Sequence, residues 1–301
     1  MQSLAIIFGL AAGLCYAFGA YLQHKIAAEQ PPELSLSPKL LVQLVQAPLW
    51  TLGLLLDLAA FGFEAAALAN GSVTIVQPLM LTGLLFSLPV SAFFDKQRLG
   101  RYEWTSGIIT IIGLTLFIVF GDPQEGHAEP TWVAWALAIG VIAAIVITAV
   151  AVGRRHEGAT RAFCYAIATA ACYGLTAALT KVVMGQLEHG VGYVFTSWEI
   201  YADAVVGILG LTLNQSAFQA GHLAASLPTV GVCAPIASII VGRLVLDETF
   251  GANTPMEILL TGVGLVAMLG GAFALARSPL VTHEKPERDV VHKKVPPAPM
   301  L

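Results

Sequence analysis

Charged residues are scarce in this chain of 301 amino acids: Asp, Glu, Lys and Arg make up 11% of it, whereas soluble domains carry about 25%. Hydrophobic residues make up 56%, which excludes a disordered chain. The four cysteines show no Cys-x-x-Cys spacing, which argues against a disulfide framework. A net charge of -4 argues against nucleic acid as a partner. The composition is that of a membrane protein.

Motifs of soluble enzymes are also absent. The sequence has no phosphate-cradling loop ending in GK[ST] and no HExxH, and no soluble stretch is long enough for a catalytic domain. We therefore expect neither an enzyme nor a resident cofactor.

Nine apolar runs are long enough to cross about 30 Å of hydrocarbon, which takes roughly 20 helical residues. Lipid requires every backbone group to be satisfied within its own segment, so these runs predict an all-α polytopic membrane protein with about nine transmembrane helices. A short amphipathic helix is predicted over 40–47. The nine runs cover 4–22, 49–69, 73–94, 104–120, 132–152, 162–184, 198–218, 223–246 and 258–276.

The positive charges predict the orientation. With nine spans, every Lys and Arg except Lys181 and Arg243 falls on one side of the membrane, and cytoplasmic loops retain positive charge. We therefore expect a plasma-membrane protein with its N-terminus outside and a disordered cytoplasmic tail over 278–301. A tenth span within 38–69 would move two more lysines outside, and is the less favoured alternative.

The order of the spans predicts an internal repeat. Four spans over 1–121 and four over 157–277 are joined by a linking helix over 122–156. An odd linking helix inverts the second half relative to the first, as in many secondary transporters. The sequence Cys15-Tyr16 recurs as Cys172-Tyr173.

Prolines lie at corresponding places in the two halves. Gly71 and Pro78 recur at the same spacing as Gly221 and Pro228. Proline removes a backbone donor, and interrupted helices at corresponding positions indicate a transporter's binding site. We therefore predict helix breaks with a gating role at Pro78 and Pro228; ordinary packing kinks are the alternative.

Acidic side chains lie inside two spans. Asp57 and Glu64 are two helical turns apart, Glu199 and Asp203 are one turn apart, and Asn214 follows in the same span as Asp203. A carboxylate at mid-membrane costs about 2.5 to 3.5 kcal/mol, so each is a functional candidate. We predict that these five residues bind a substrate or ion. Asp57, Glu64 and Asp203 are the candidate metal ligands, since Mg²⁺ requires only one or two carboxylates.

A purely structural role is the alternative for each of these residues, Glu64 and Asp203 included, and for three of them it is a specific one. Asp57 could pair with the ammonium group of Lys25 or Lys181. Glu199 could stabilise a helix N-terminus, and Asn214 could form a hydrogen bond between helices.

One segment carries a family resemblance. The run EAAALANGSVTIVQPL over 64–79 resembles a conserved segment of the drug/metabolite transporter superfamily, and its counterpart over 217–228 is similar to the same segment. The four-one-four layout and the Trp50-x2-Gly53 opening of the second span are similar to the NIPA-type magnesium transporter branch. The resemblance implies transport of a small solute, with magnesium as one candidate.

Three functions follow as hypotheses. The first is a secondary transporter of a divalent cation or a small cationic solute, working by alternating access. The second is a proton-coupled exporter of a small drug or metabolite, with Phe18, Tyr21 and Phe63 lining its cavity. The third is a non-transporting scaffold or accessory subunit. The expected partners are the lipid bilayer, the solute and, as the glycine-rich last span allows, a second copy of the chain in a homodimer.

Overall fold

A computed structural model describes residues 2–28, 46–94, 99–126, 130–219 and 223–278. Within these ranges the chain is almost entirely helical, which confirms the predicted all-α polytopic fold. The predictions for the helix over 40–47 and for the tail over 278–301 lie outside the described residues, except at their edges.

The described residues up to Gly121 form five helices. Pro48 begins the second helix, where its missing amide hydrogen costs no bond. The Ser72 side chain caps the third by accepting a hydrogen bond from the Ile75 amide at 3.2 Å. The five are α1 (Gln2–Ala28), α2 (Pro48–Asn70), α3 (Val73–Met80), α4 (Thr82–Phe94) and α5 (Arg101–Gly121).

The described residues from Pro123 onward contribute six α-helices, a short 3-10 helix at Leu187–His189 and two short strands. Thr254 and Glu257 form a capping box at the start of the last helix. The elements are β1 (Pro123–Gln124), α6 (Trp132–Gly153), α7 (Gly158–Gln186), α8 (Val191–Thr196), α9 (Trp198–Gln219), α10 (Leu223–Leu246), β2 (Thr249–Phe250) and α11 (Pro255–Ala276).

Eight segments among the described residues are long and apolar enough to cross a membrane, with Val73–Phe94 counted as one. The helix α9 has 22 residues but is not among the eight, and it carries Glu199, Asp203 and Asn214. Its neighbours α7 and α10 both end beside the α2–α3 turn, where Lys181 contacts Gly71 and Glu248 contacts Val73. The helix α9 lies between α7 and α10 in the chain. Because α7 and α10 both finish at the same end of the bundle, α9 must run back along the length of the bundle between them.

Contacts define the two ends of the bundle. At the end that we call the N-terminal end, the Gln2 side chain donates to the Pro123 carbonyl, and Pro123 pairs with Phe250 between the antiparallel strands. At the opposite end, called the C-terminal end, the Tyr102 hydroxyl donates to the Ala274 carbonyl. The first and last helices therefore have their outer termini at opposite ends, as an odd number of passes requires.

Glycines bring α5 and α11 into close contact. A Cβ atom added at Gly264 would lie 2.6 Å from the Phe117 nitrogen, and one added at Gly113 would overlap the Met268 nitrogen. Small residues allow this approach of two backbones. By contrast, Gly262 and Gly270 have open space around their Cβ positions.

The prolines act differently in the two parts of the chain. The helix α3 ends soon after Pro78, and the Leu81 amide bonds back to the Pro78 carbonyl at 3.1 Å. The helix α10 runs unbroken through Pro228 and Pro235, so the predicted break at Pro228 is wrong. Pro228 lies in the second turn of α10, where only one intrahelical bond near the helix start is lost.

Candidate functional site

Glu64 accepts hydrogen bonds from two neutral side chains. The Gln77 Nε2 atom donates to Glu64 Oε1 at 2.9 Å, and the Tyr16 hydroxyl lies 3.4 Å from Glu64 Oε2. The fully buried Ser238 hydroxyl lies 3.3 Å from the Gln77 Oε1 atom and 2.9 Å from the Ala234 carbonyl oxygen, and these two acceptors share its one proton. The network therefore joins α1, α2 and α3 to α10, which is far away in sequence.

The hairpin between α2 and α3 explains this arrangement. Glu64 lies in the second-to-last turn of α2, and Gln77 lies in the second turn of α3. Because the chain reverses over Gly71 and Ser72, the two side chains meet. Gln77 immediately precedes Pro78, so the residue beside the helix break contacts the acid.

Asp203 is the second acid at this level of the bundle. Its Oδ2 atom accepts a 2.9 Å hydrogen bond from the Thr180 hydroxyl. Thr180 precedes Lys181, whose Nζ atom contacts the Leu68 carbonyl one helical turn after Glu64, so Asp203 lies in the same part of the bundle as Glu64. The structure therefore associates one acid from α2 with one from α9.

Asp57 lies elsewhere. Its Oδ2 atom accepts a 2.6 Å hydrogen bond from the Gln23 side chain near the end of α1. Seven helical residues rise about 10 Å, so Asp57 lies well towards the C-terminal end from Glu64. The Lys181 alternative for Asp57 is wrong, because Lys181 contacts the α2–α3 hairpin instead, and the Lys25 side chain lies outside the described part.

Asn214 and Glu199 are also separated from the Glu64 level. Eleven residues along α9 correspond to about 16 Å, so Asn214 is closer than Asp203 to the C-terminal end. Its Oδ1 atom is buried without a hydrogen-bond partner among the described residues. Glu199 lies in the first turn of α9, where a carboxylate stabilises the helix N-terminus.

The predicted set of three metal-ligating carboxylates is not assembled. No group of three or more His, Cys, Asp or Glu side chains within the described ranges could hold a metal ion. The reason is the helical rise between Asp57 and Glu64. Both side chains lie on the same face of α2, but at different depths in the bundle. Glu64 and Asp203 remain as the pair.

Glu248 is a functional candidate that the sequence analysis missed. It follows α10 and is only 2% exposed. Its carboxylate accepts hydrogen bonds from the Val73 amide at 2.6 Å and from the Thr74 amide at 2.9 Å, which caps α3. Burial raises the pKa of this carboxyl above its ordinary value, and the bonds from Thr74 and Val73 and the charge of Lys181 act in the opposite direction.

Neutral donors were missed as well. Tyr16, Gln77, Thr180 and Ser238 make the hydrogen bonds described above, but a search for charges within spans passes over neutral groups. The position of Gln77 beside Pro78 was the available signal.

The aromatic residues predicted to line an export cavity pack against other rings. Tyr21 stacks on Phe94 at a centroid distance of 5.1 Å, and Phe18 meets the edge of the same ring at 6.4 Å. Phe63 stacks on Phe8 at 6.3 Å. A cavity of about 260 Å³ lies instead between α6, α7 and α10, with an apolar lining.

Comparisons with known proteins give two relatives over most of the chain. An uncharacterised protein of Corynebacterium glutamicum, Cgl0250/cg0304, is 30% identical over 285 residues, which are 92% of this chain and 97% of that protein. The probable magnesium transporter NIPA9 of Arabidopsis thaliana is 24% identical over 293 residues, which are 93% of this chain and 84% of that protein. No family model and no solved structure matches the chain. The similarity to NIPA9 supports a transporter-like family, and membership of the drug/metabolite superfamily stays a prediction.

Proposed function

The chain belongs to the same family as the Corynebacterium glutamicum protein, and we propose that it is a secondary-active membrane transporter of a small cation. Magnesium is the first candidate substrate. Glu64 and Asp203 bind the cation, and the two halves of the chain give it access to each side of the membrane in turn.

The environment of Glu64 carries this proposal. A carboxylate within a membrane-spanning helix is costly and marks ion pathways. The donors described for Glu64, Gln77 and Tyr16, are both neutral, so they leave its negative charge to be balanced by a bound cation or a proton. Asp203 adds a second acidic group from another helix in the same part of the bundle, where it accepts a hydrogen bond from Thr180.

Two observations support magnesium. Mg²⁺ binds proteins through one or two carboxylates while keeping several of its waters, so two acids suffice. The relative from Arabidopsis thaliana bears the name of a probable magnesium transporter. Transport of this kind involves no covalent chemistry and no resident cofactor.

Alternating access requires two halves that move against each other, and the contacts of α5 and α11 support an inverted repeat. Gly113 on α5 faces the Met268 nitrogen on α11, and Gly264 on α11 faces the Phe117 nitrogen on α5. Gly264 follows Gly113 by the same number of residues as Met268 follows Phe117. The two contacts are therefore equivalent, with the glycine on α5 in one and on α11 in the other. A two-fold axis between antiparallel helices produces this pattern, and we infer repeats over 1–121 and 157–277.

Binding of a cation is coupled to movement through the Glu64 network. Gln77 donates to Glu64 and accepts from Ser238, so it links the proposed cation ligand to α10 of the second half. A cation at Glu64 competes with the Gln77 amide for the same carboxylate. Release of Gln77 weakens the link to Ser238 and frees one half to move relative to the other.

The described charges support a plasma-membrane orientation with the C-terminal end inside. Lys181 and Arg243 lie at the N-terminal end, and the other arginines described lie at or near the C-terminal end. Cytoplasmic loops retain positive charge. The arginines at the C-terminal end are Arg101, Arg154, Arg155, Arg161 and Arg277.

The test is magnesium flux into proteoliposomes that contain a magnesium-sensitive dye. The native chain is expected to admit Mg²⁺. Glu64→Gln and Asp203→Asn are each expected to slow its entry by at least about tenfold, because each removes a negative charge that balances the cation. A tenfold change in rate corresponds to about 1.4 kcal/mol. The matched control is Glu257→Gln, which changes an acid in the capping box of α11 and is expected to keep the native rate.

The Glu64 network also favours a second candidate, a proton-coupled exporter of a small drug or metabolite, because a carboxylate with neutral donors can carry a proton. Absence of Mg²⁺ entry with the native chain would overturn the magnesium proposal, and pH-dependent flux of an organic solute that stops in Glu64→Gln would establish the exporter. Folded amide variants and no flux of either kind would indicate a scaffold or accessory subunit.

The predicted homodimer is checked by the mass of the purified particle.

A further inference from the structure

The α2–α3 hairpin, defined as residues 64–77, is held at its turn by two charged side chains from the second half of the chain. Glu248 binds the start of α3: besides the amides of Val73 and Thr74, it accepts a 2.6 Å hydrogen bond from the Thr74 hydroxyl. Lys181 binds the end of α2, because its Nζ atom lies 2.6 Å from the Gly71 carbonyl oxygen and 3.3 Å from that of Leu68.

The sign of each charge matches the helix end that it contacts. A helix N-terminus carries a partial positive charge and a C-terminus a partial negative charge. The Glu248 carboxylate meets the N-terminus of α3, and the Lys181 ammonium group meets the C-terminus of α2. Lys181 also forms a 3.5 Å ion pair with the more exposed Glu125, which contributes little because it is screened by water.

Local backbone structure directs Glu248 inwards. Asp247 adopts a left-handed conformation with φ of 55°, which reverses the chain after α10, and the Glu248 amide bonds to the Gly242 carbonyl. A Cβ atom at Gly242 would lie 2.8 Å from Glu248 Oε2. The glycine therefore leaves the space that the carboxylate occupies.

The clamped hairpin carries the proposed binding residues. Glu64 lies one helical turn before Leu68, which Lys181 contacts, and Gln77 lies one turn after Thr74, which Glu248 contacts. Each helix moves as a rigid segment over one turn, so displacement of the turn displaces Glu64 and Gln77 as well. The clamp lies between this pair and the N-terminal end of the bundle.

We propose that Glu248 and Lys181 are positioning residues that clamp the α2–α3 hairpin against the second half of the chain and close the N-terminal end. Release of the clamp admits solute from that end to Glu64 and Gln77. This inference rests on the proposed transport function. The described conformation is the one closed at the N-terminal end.

The test measures exposure of the hairpin directly. A variant without the four native cysteines receives Val76→Cys, because Val76 is 0% exposed and lies on α3 between the clamp and Gln77. The labelling rate with a membrane-impermeant maleimide is measured in proteoliposomes. Glu248→Gln and Lys181→Gln are each expected to raise this rate by about tenfold or more, because each weakens charge-assisted hydrogen bonds.

Three controls separate clamping from general loosening. Glu257→Gln changes an acid that accepts two backbone amides at the same end of the bundle but does not contact the hairpin, and it is expected to leave Val76→Cys labelling unchanged. Gly264→Ala strains the distant α5–α11 crossing and is expected to do the same. Lys181→Arg keeps the charge and is expected to restore slow labelling.

Unchanged labelling in folded Glu248→Gln and Lys181→Gln overturns the clamp. If Glu248→Gln does not fold, Thr74→Val removes one of its three hydrogen bonds without a change of charge, and unchanged labelling in that variant overturns the clamp equally. Labelling needs no solute, so its outcome is independent of transport. Magnesium flux with unaltered labelling contradicts only the clamp proposal. Fast labelling in the variants without magnesium flux contradicts only the proposal that magnesium is the substrate.

Discussion

Alanine substitutions at the crossing of α5 and α11 test the close packing of these helices. In Gly264→Ala the new Cβ atom would lie 2.6 Å from the Phe117 nitrogen, and in Gly113→Ala it would overlap the Met268 nitrogen. Ordinary contacts begin near 3.5 Å, so the helices must separate by about 1 Å. Such overpacking costs about 1–3 kcal/mol.

Glycines beside the crossing provide matched controls. Gly262 and Gly270 lie in the same helix as Gly264, but nothing lies within 4 Å of their Cβ positions. Replacing an interior helical glycine by alanine gains about 1 kcal/mol of helix propensity. Gly262→Ala and Gly270→Ala are therefore expected to leave the free energy of unfolding unchanged or increase it. Gly264→Ala and Gly113→Ala change it by a net loss of up to about 2 kcal/mol, which leaves them about 1–3 kcal/mol less stable than the control variants.

The double variant tests whether both glycines act at one contact. Once the helices have separated to accommodate alanine at Gly264, a second alanine at Gly113 meets less resistance. The two changes should therefore cost less together than the sum of their separate costs. The assay is reversible unfolding in detergent micelles, followed by helical circular dichroism. Equal stabilities of Gly264→Ala and Gly262→Ala would refute the packing argument.

Two further predictions concern the N-terminal end of the bundle. Trp198 contacts two tryptophan rings at centroid distances of 5.4 and 5.3 Å, so Trp198→Leu is expected to lower the free energy of unfolding by about 1–3 kcal/mol, while the change of the exposed Trp104 to leucine has little effect in the same unfolding assay. Burial raises the pKa of the Glu248 carboxyl, so this carboxyl keeps its proton to a higher pH in the folded chain than in the unfolded chain. The free energy of unfolding is therefore expected to fall as pH rises from below the ordinary value of 4.5 to the folded pKa, and to stay level above it for this group. The fall of the free energy of unfolding with pH is expected to be absent in Glu248→Gln. A pH profile identical to that of the native chain would contradict the assignment of this fall to Glu248.

The membrane-spanning helices could be predicted closely from the sequence. The run over 223–246 matches α10 at both ends, and most of the other runs differ from their helices by a few residues. The exceptions are the first run, which stops six residues before the end of α1, and the run over 73–94, which the structure divides into α3 and α4. Length decides this, because a hydrocarbon layer of about 30 Å requires about 20 apolar residues. Intramembrane charge likewise singled out Glu64 and Asp203, which the structure associates.

Contacts between helices could not be predicted. Asp57 and Glu64 share a face of α2, and periodicity alone suggested one site for both. The structure separates them by about 10 Å of helical rise and gives each different partners. Pro78 and Pro228 are alike in sequence, but only α3 ends beside its proline.

The sequence by itself determined that the chain is an all-α membrane protein, how long its helices are and which acids they carry, because burial in lipid acts on each segment separately. Only the tertiary structure decided that Gln77 and Tyr16 donate to Glu64, that Asp203 lies near it, and that Glu248 caps a helix from the other half. Those contacts depend on the rotation, crossing and depth of each helix. The fit of all the helices together sets these quantities, and no single segment of sequence contains them.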